Sequence, residues 1–361
     1  MDQDRAAKIL AGDIRATARL ISDLENGDPA AVPVLRALAA RPRRAQVIGI
    51  TGPPGSGKST LADKLMAEIR KRGATVAVLA VDPSSPFTGG AILGDRLRMQ
   101  AHATDEGVYI RSLASRGRLG GISRATRSAA RVLDSAGWDF IIIETVGVGQ
   151  SEVDVVRVAD TVVLVAVPGL GDDIQVIKAG IMEIGDIFVV NKADRDGADR
   201  VVREIRAMLE TAAALKRGSV PDRDVVDTLA GRPSEGVGAH HPTAHHGDMG
   251  LDGADPHAFL ADLPPVVKTV AETGEGVAAL LELVVAHHAA SEASGALAAR
   301  RLEGAKAEIK ALVVERMDAA LAEDRAALME AGLAAAVAAG EKDAYGAAEE
   351  LLAVLVKGGI A

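Results

Sequence analysis

A chain of 361 residues, 48% hydrophobic and 25% charged, has the polarity of a soluble globular protein and room for about two domains. A net charge of −9 disfavours a nucleic-acid surface as the main partner, and the lack of cysteine excludes disulfides and thiolate metal sites. No basic, apolar leader opens the sequence, and no apolar run reaches the roughly 20 residues of a membrane span, so a cytoplasmic protein without a membrane partner is expected.

Only one Trp, two Tyr and four Phe are present, so Val, Ile, Leu and Ala must build the core. That composition suits a parallel sheet buried on both faces. Residues 1–44 read as an N-terminal helical segment. Ile9, Ile14, Ala18, Leu20 and Ile21 fall near one face, and Val32, Leu35 and Leu38 mark a second short helix with Pro29 and Pro33 near its start.

From Ala45 onward, strand-like runs at 46–51, 75–81, 108–112, 139–144, 161–167, 186–190 and 265–270 alternate with helical patterns. The helices are expected at 58–71, 92–101, 121–136, 152–157, 172–181, 198–215 and 276–288. This alternation predicts an α/β domain over 45–288 with a doubly wound, mostly parallel sheet. Ligands of such sheets sit beyond the carboxyl ends of the strands, so polar residues there become candidates.

The first candidate is Gly52-Pro53-Pro54-Gly55-Ser56-Gly57-Lys58-Ser59-Thr60, set between the first strand and a helix. Its spacing, G-x-x-x-x-G-K-[ST], is that of a phosphate-binding loop. Successive backbone N–H groups would surround one anion, Lys58 would reach the outer phosphates, and the Ser59 hydroxyl would ligate Mg²⁺. Asp82 and Glu144 follow strands aimed at this loop, and Asp95 lies in Gly94-Asp95-Arg96. Any of the three carboxylates can hold Mg²⁺ or its waters. Glu144-Thr145-Val146-Gly147 has the form of a γ-phosphate detector, with the Gly147 N–H facing the phosphate and Gly149 and Gln150 in a loop that would move on hydrolysis.

Asn191-Lys192-Ala193-Asp194 is an N-K-x-D motif at the end of another strand. One carboxylate accepts from guanine N1–H and its exocyclic amine together, so Asp194 would select GTP over ATP. Lys192 would lie along the base and Asn191 would brace the loop. Val270-Ala271-Glu272 follows the last strand, where a further N–H would meet the guanine oxygen.

The pattern breaks over 217–263, a Gly-, Pro- and His-rich insertion read as a surface excursion or disordered loop. It holds His240, His241, His245, His246 and His257, five of the eight histidines. A polar insertion without a metal is favoured over a metal site, since no fixed secondary structure presets a geometry. Residues 289–361 are Ala-, Glu- and Leu-rich, with helices expected at 290–321, 323–339 and 343–357. Leu302, Ile309, Leu312, Val313 and Met317 form an apolar stripe, which either packs on the chain's own core or makes a dimerisation arm.

Three long stretches, Val81 to Asp95, Glu144 to Glu152 and Gly171 to Ile184, resemble the MeaB/ArgK family of GTPases. The resemblance runs over nearly the whole chain. It implies a P-loop G-protein chaperone of an adenosylcobalamin-dependent acyl-CoA mutase, working as a homodimer through its C-terminal extension. It also implies phosphate, Mg²⁺ and hydrolysis roles for Lys58, Ser59, Asp82, Asp95 and Glu144, with GTP or GDP as ligand. Residues 169–182 would be a further switch toward the mutase, with Gln150, Asp172, Asp173, Gln175 and Lys178 as its coupling residues. Val270-Ala271-Glu272 departs from the family's usual Ser-Ala-Lys/Arg, and nothing in the family pattern assigns the histidines a role. The alternatives are a nickel or zinc metallochaperone GTPase, which the lack of cysteine opposes, and a P-loop kinase, which N-K-x-D opposes. No arginine finger is assigned; Arg96, Arg98, Arg116 and Arg118 are the arginines in candidate loops.

Overall fold

The apolar runs become seven strands: β1 (Gln46–Thr51), β2 (Val76–Asp82), β3 (Val108–Ala114), β4 (Phe140–Thr145), β5 (Thr161–Ala166), β6 (Ile187–Asn191) and β7 (Val266–Thr269). They form one sheet in the order β3-β2-β4-β1-β5-β6-β7, and every pairing is parallel. This is a computed structural model that describes residues 2–82, 102, 104–114, 124–145, 155–169, 184–216, 263–321 and 324–357.

Ten helices are present among the described residues: α1 (Asp2–Leu10), α2 (Ile14–Asn26), α3 (Ala31–Leu38), α4 (Lys58–Lys71), α5 (Arg124–Ala136), α6 (Ala198–Lys216), α7 (Val277–Ala293), α8 (Ala296–Leu321), α9 (Asp324–Ala338) and α10 (Ala344–Lys357). Alternate strand residues bury into opposite layers, as the period of two requires. Ile48, Ile50, Val163, Val165 and Val189 pack under α4 and α7. Val47, Leu79, Ile141 and Ile143 pack under α1, α2, α3 and α5, while Leu164, Phe188 and Val190 pack under α6. The doubly wound sheet predicted from the sequence is therefore the observed fold.

The N-terminal segment departs in detail. It forms three helices, because Gly12 turns left-handed at φ 84° and the Asp13 carboxylate accepts Ala16 N–H to restart the chain as α2. The restart changes the helical phase, leaving Ile14 45% exposed; in α3 the buried face is Ala31, Val34 and Leu38, leaving Val32 at 38%. Tyr109 and Trp138 sit against this layer with ring centroids 6.0 Å apart.

Further along, residues 155–157 form a 3₁₀ turn rather than part of an α-helix. The expected helix at 276–288 runs on to Ala293, and α8 starts only at Ala296, after Gly295 at φ 78°. The helices expected at 92–101 and 172–181, and the His-rich stretch, lie outside the described residues.

The chain divides into a unit of residues 1–300 and a unit of residues 301–361. Within the second unit α9 packs on α10 around an apolar cavity of about 340 Å³ lined by Leu333, Ala334, Val337, Ala347 and Leu351. Leu302, Ile309, Leu312 and Val313, the predicted stripe on α8, stand 37–63% exposed.

Candidate functional site

β1 has β4 on one side and β5 on the other, while the chain leaving β1 crosses to β2 beyond β4. The strand order reverses here, and the crevice of a doubly wound sheet opens at such a point. The loop 52–57 leaves β1 at this place and runs into the N-terminus of α4. Two glycines make the path sterically feasible. A Cβ on Gly52 would lie 2.2 Å from the Val165 carbonyl oxygen, and one on Gly57 would lie 2.5 Å from Asn191 Nδ2.

Polar residues gather beneath the loop although the surrounding strands are apolar. Thr51, Glu144, Thr145, Asn191 and Thr269 are each no more than 1% exposed, and all sit at or next to the carboxyl ends of β1, β4, β6 and β7. Lys58 is 6% exposed, and its ammonium donates to the carbonyls of Gly52 at 2.6 Å and Pro53 at 3.0 Å. The cation is thus held on the inner rim of its own loop, at the positive end of α4, where an anion is favoured. The Ser56 hydroxyl is fully buried and has no hydrogen-bond partner among the described residues.

Ser59 Oγ donates to Glu144 Oε1, so the hydroxyl and the carboxylate meet directly at the start of α4. Both are hard oxygen donors, and Mg²⁺ takes oxygen ligands and is usually held by one or two carboxylates plus phosphates. These residues fit that ion. Glu144 lies inside β4, one residue before its end, not just after the strand. Asp82 is the last residue of β2, and Val81 beside it pairs with Thr145, which puts Asp82 on the same edge as Glu144. Asp95, Gly147, Gln150, Asp172, Asp173, Gln175 and Lys178 lie outside the described residues.

Asn191 is the joint of the site. Its amide nitrogen donates to the Ser56 carbonyl at 2.8 Å. Its amide oxygen accepts from Thr269 Oγ1 at 3.1 Å and from Ala271 N–H at 3.0 Å. One side chain therefore ties the phosphate loop, the end of β7 and the loop after it into a single unit. The expected bracing by Asn191 is present in the geometry. Lys192 adopts the left-handed region at φ 56°, strained for a side-chain-bearing residue, and its ammonium reaches the Gly55 carbonyl at 2.7 Å. Asp194 is exposed on the turn that follows.

The loop 270–275 is closed on itself by Val270 N–H to Glu275 O at 3.0 Å and Gly274 N–H to Val270 O at 2.9 Å. Since Val270 and Ala271 already donate their amides, the N–H facing a guanine oxygen would be that of Glu272. Its side chain is exposed, so the change from the usual basic residue leaves this backbone donor in place. Sequence reading missed Thr269 and the buried Thr51–Thr145 pair, whose hydroxyls are 3.4 Å apart. The available signal was the threonine that ends each of three apolar runs, those of β1, β4 and β7.

Comparison with known proteins places these features in a wider set. The family model described as methylmalonyl Co-A mutase-associated GTPase MeaB matches residues 17–326. A Pyrococcus horikoshii protein carrying a GTPase name is 45% identical over 88% of this chain and 88% of its own length. GTPase ArgK of Escherichia coli is 46% identical over 47% of this chain and 51% of its own. The mouse methylmalonic aciduria type A homolog is 42% identical over 53% of this chain and 46% of its own. Among solved structures, one described as a LAO/AO transport system kinase superposes with a TM-score of 0.64 at 22% identity, covering 98% of this chain and 97% of that one, which bears on the fold.

Proposed function

The chain belongs to the MeaB family of GTPases, and from that premise we propose that it serves as the G-protein chaperone of an adenosylcobalamin-dependent acyl-CoA mutase, methylmalonyl-CoA mutase or a close relative. In this role it gates delivery of the cofactor cargo and protects or reactivates the mutase. The observation that carries the reading is the family match across residues 17–326, whose description names association with that mutase.

Phosphates occupy the loop 52–60, with Lys58 turning from the Gly52 and Pro53 carbonyls toward the outer phosphates. Ser59 and Glu144, together with Asp82 or Asp95, would hold Mg²⁺, which when bound would neutralise the charge spread over the phosphate oxygens. Little covalent chemistry falls to the protein, which aligns a water and stabilises developing charge. Asp194 reads the guanine edge, and the Glu272 amide meets its oxygen. An ATP molecule would leave Asp194 without its paired donors. The segment 169–182, with Gln150 before it, carries the nucleotide state to the mutase.

The exposed apolar side chains Leu302, Ile309, Leu312, Val313 and Val314 on α8 support a homodimer formed through the C-terminal region. No helix among the described residues is long and apolar enough to cross a membrane.

The test is affinity capture from native cell extract with the full chain loaded with GDP or with a non-hydrolysable GTP analogue. Recovery of a cobalamin-dependent mutase, in amounts that depend on the nucleotide, is expected. Recovery of no cobalamin enzyme in either state would overturn the chaperone role.

A further inference from the structure

Buried charge is also gathered at the end of the sheet opposite the phosphate loop, and the proposed function makes no use of it. Asp160 and Asp186 immediately precede β5 and β6. Arg300 grips Asp186 with both prongs of its guanidinium, at 2.6 and 2.7 Å, and also donates to the Asp160 carbonyl at 2.7 Å. The Asp186 carboxylate accepts Val162 N–H at 2.8 Å, and that of Asp160 accepts Val47 N–H at 3.0 Å. His287 Nε2 lies 3.5 Å from Asp186, with its Nδ1 2.9 Å from the Thr161 hydroxyl, and His288 Nε2 lies 3.8 Å from Asp160. The start of α8, residues 296–300, is thereby fastened to the amino ends of β5 and β6.

Two stiff elements join this clamp to the base-reading loops. β6 begins one residue after Asp186 and ends on Asn191 itself. α7 begins directly after Gly276, at the close of the loop 270–275, and carries His287 and His288 in its last half. Its 17 residues span about 25 Å at about 1.5 Å per residue. Neither a paired inner strand nor a packed helix lengthens readily, so a shift of the base loops reappears at the far end as a shear.

We infer that nucleotide occupancy and the seating of the start of α8 are coupled, with Arg300 as the positioning residue of the coupling. The inference rests on the reading of Asn191, Asp194 and residues 270–275 as the guanine site. The clamp has two discrete arrangements, gripped and released, and filling the base site favours the gripped one. Linkage makes the effect reciprocal: loosening the clamp weakens nucleotide binding by the same factor.

The experiment uses the full-length protein and two measurements. Amide hydrogen exchange over residues 294–302 is followed with and without GDP, and GDP affinity is measured for wild type, Arg300→Ala and Arg300→Lys. Lysine keeps the charge but lacks the planar fork, so it retains a folded protein if alanine does not. The expected results are exchange slowed about 3- to 10-fold by GDP and affinity weakened about 3- to 10-fold in Arg300→Lys. GDP binding by the wild type with unchanged exchange, or a destabilised Arg300→Lys of unchanged affinity, overturns the coupling alone. Failure of the wild type to bind GDP overturns the guanine reading and the coupling with it.

Discussion

Both ends of the central sheet bury charge, and they settle it in opposite ways. At the amino end, Asp160, Asp186, His287, His288 and Arg300 partner one another and the backbone, with Asp186 taking both guanidinium prongs. At the carboxyl end, Lys58 donates to two carbonyls of its own loop, Ser59 is turned onto Glu144, and the Ser56 hydroxyl has no hydrogen-bond partner among the described residues. The first arrangement finds its ion-pair partners within the chain. The second is a set of donors and acceptors whose best partners come from outside. Burial alone does not mark a functional site; buried polar groups matched only by makeshift partners do.

That contrast can be broken at four places. Lys58→Ala is expected to have the largest effect, weakening GDP and GTP binding by roughly 100-fold or more through loss of charge-assisted phosphate contacts. Titration calorimetry decides it, and wild-type affinity in the variant would remove Lys58 from the site.

Asp186→Asn should act chiefly on stability, with nucleotide affinity falling only by the modest factor expected of a loosened clamp. Removing one member of a buried pair typically costs about 3–5 kcal/mol, and the partial exposure of Arg300 lowers the expectation to about 2–4. There is also a pH signature. Burial pushes the Asp186 carboxyl up, but the Arg300 and His287 hydrogen bonds outweigh it and hold it at about 2 against an ordinary 3.8. A carboxylate depressed in the folded state contributes stability above its unfolded value, and this is lost as pH falls through the folded one. Wild type should therefore lose about 2 kcal/mol from this group between about pH 4 and pH 2, and Asp186→Asn should not. Parallel acid-unfolding curves for the two proteins would refute the assignment.

Asp194→Asn comes third, with GDP affinity expected to fall about 10- to 100-fold and the preference over ADP to shrink by a similar factor. Competition binding measures it; an unchanged preference would move guanine reading away from Asp194. Ser56→Ala is the smallest and has the opposite sign. Deleting a buried hydroxyl without a partner should stabilise the nucleotide-free protein by about 1 kcal/mol, read as a rise in melting temperature. A fall of similar size would mean the hydroxyl is paired after all.

Much of the carboxyl end was legible in the sequence. Seven apolar runs gave seven strands, and local motifs ending three of them named the phosphate loop, Glu144 and Asn191 to Asp194. Local spacing suffices there because each motif is contiguous with the strand that positions it. The amino end was not legible, since Arg300 and Asp186 stand 114 residues apart and neither sits in a patterned motif. Long-range ion pairs leave no periodic trace. The N-terminal helices failed differently: apolar spacing was carried across Gly12 and Asp13, where a left-handed turn resets the phase. That the Ala271 amide is engaged by Asn191 was also hidden, because it depends on where Asn191 spends its oxygen.

The single tryptophan gives the molecule a built-in optical reporter whose location decides what it can see. Trp138 sits between α5 and β4, beside Tyr109 and packed with the N-terminal layer, at the amino end of the sheet opposite the phosphate loop. Emission from this ring should follow loss of the N-terminal layer during denaturation, while nucleotide entering at the carboxyl end of the sheet should leave it unchanged. One sample in one cuvette thus separates the two events. Intrinsic fluorescence records unfolding, and a fluorophore carried by the nucleotide records occupancy, with no competing indole near the ligand.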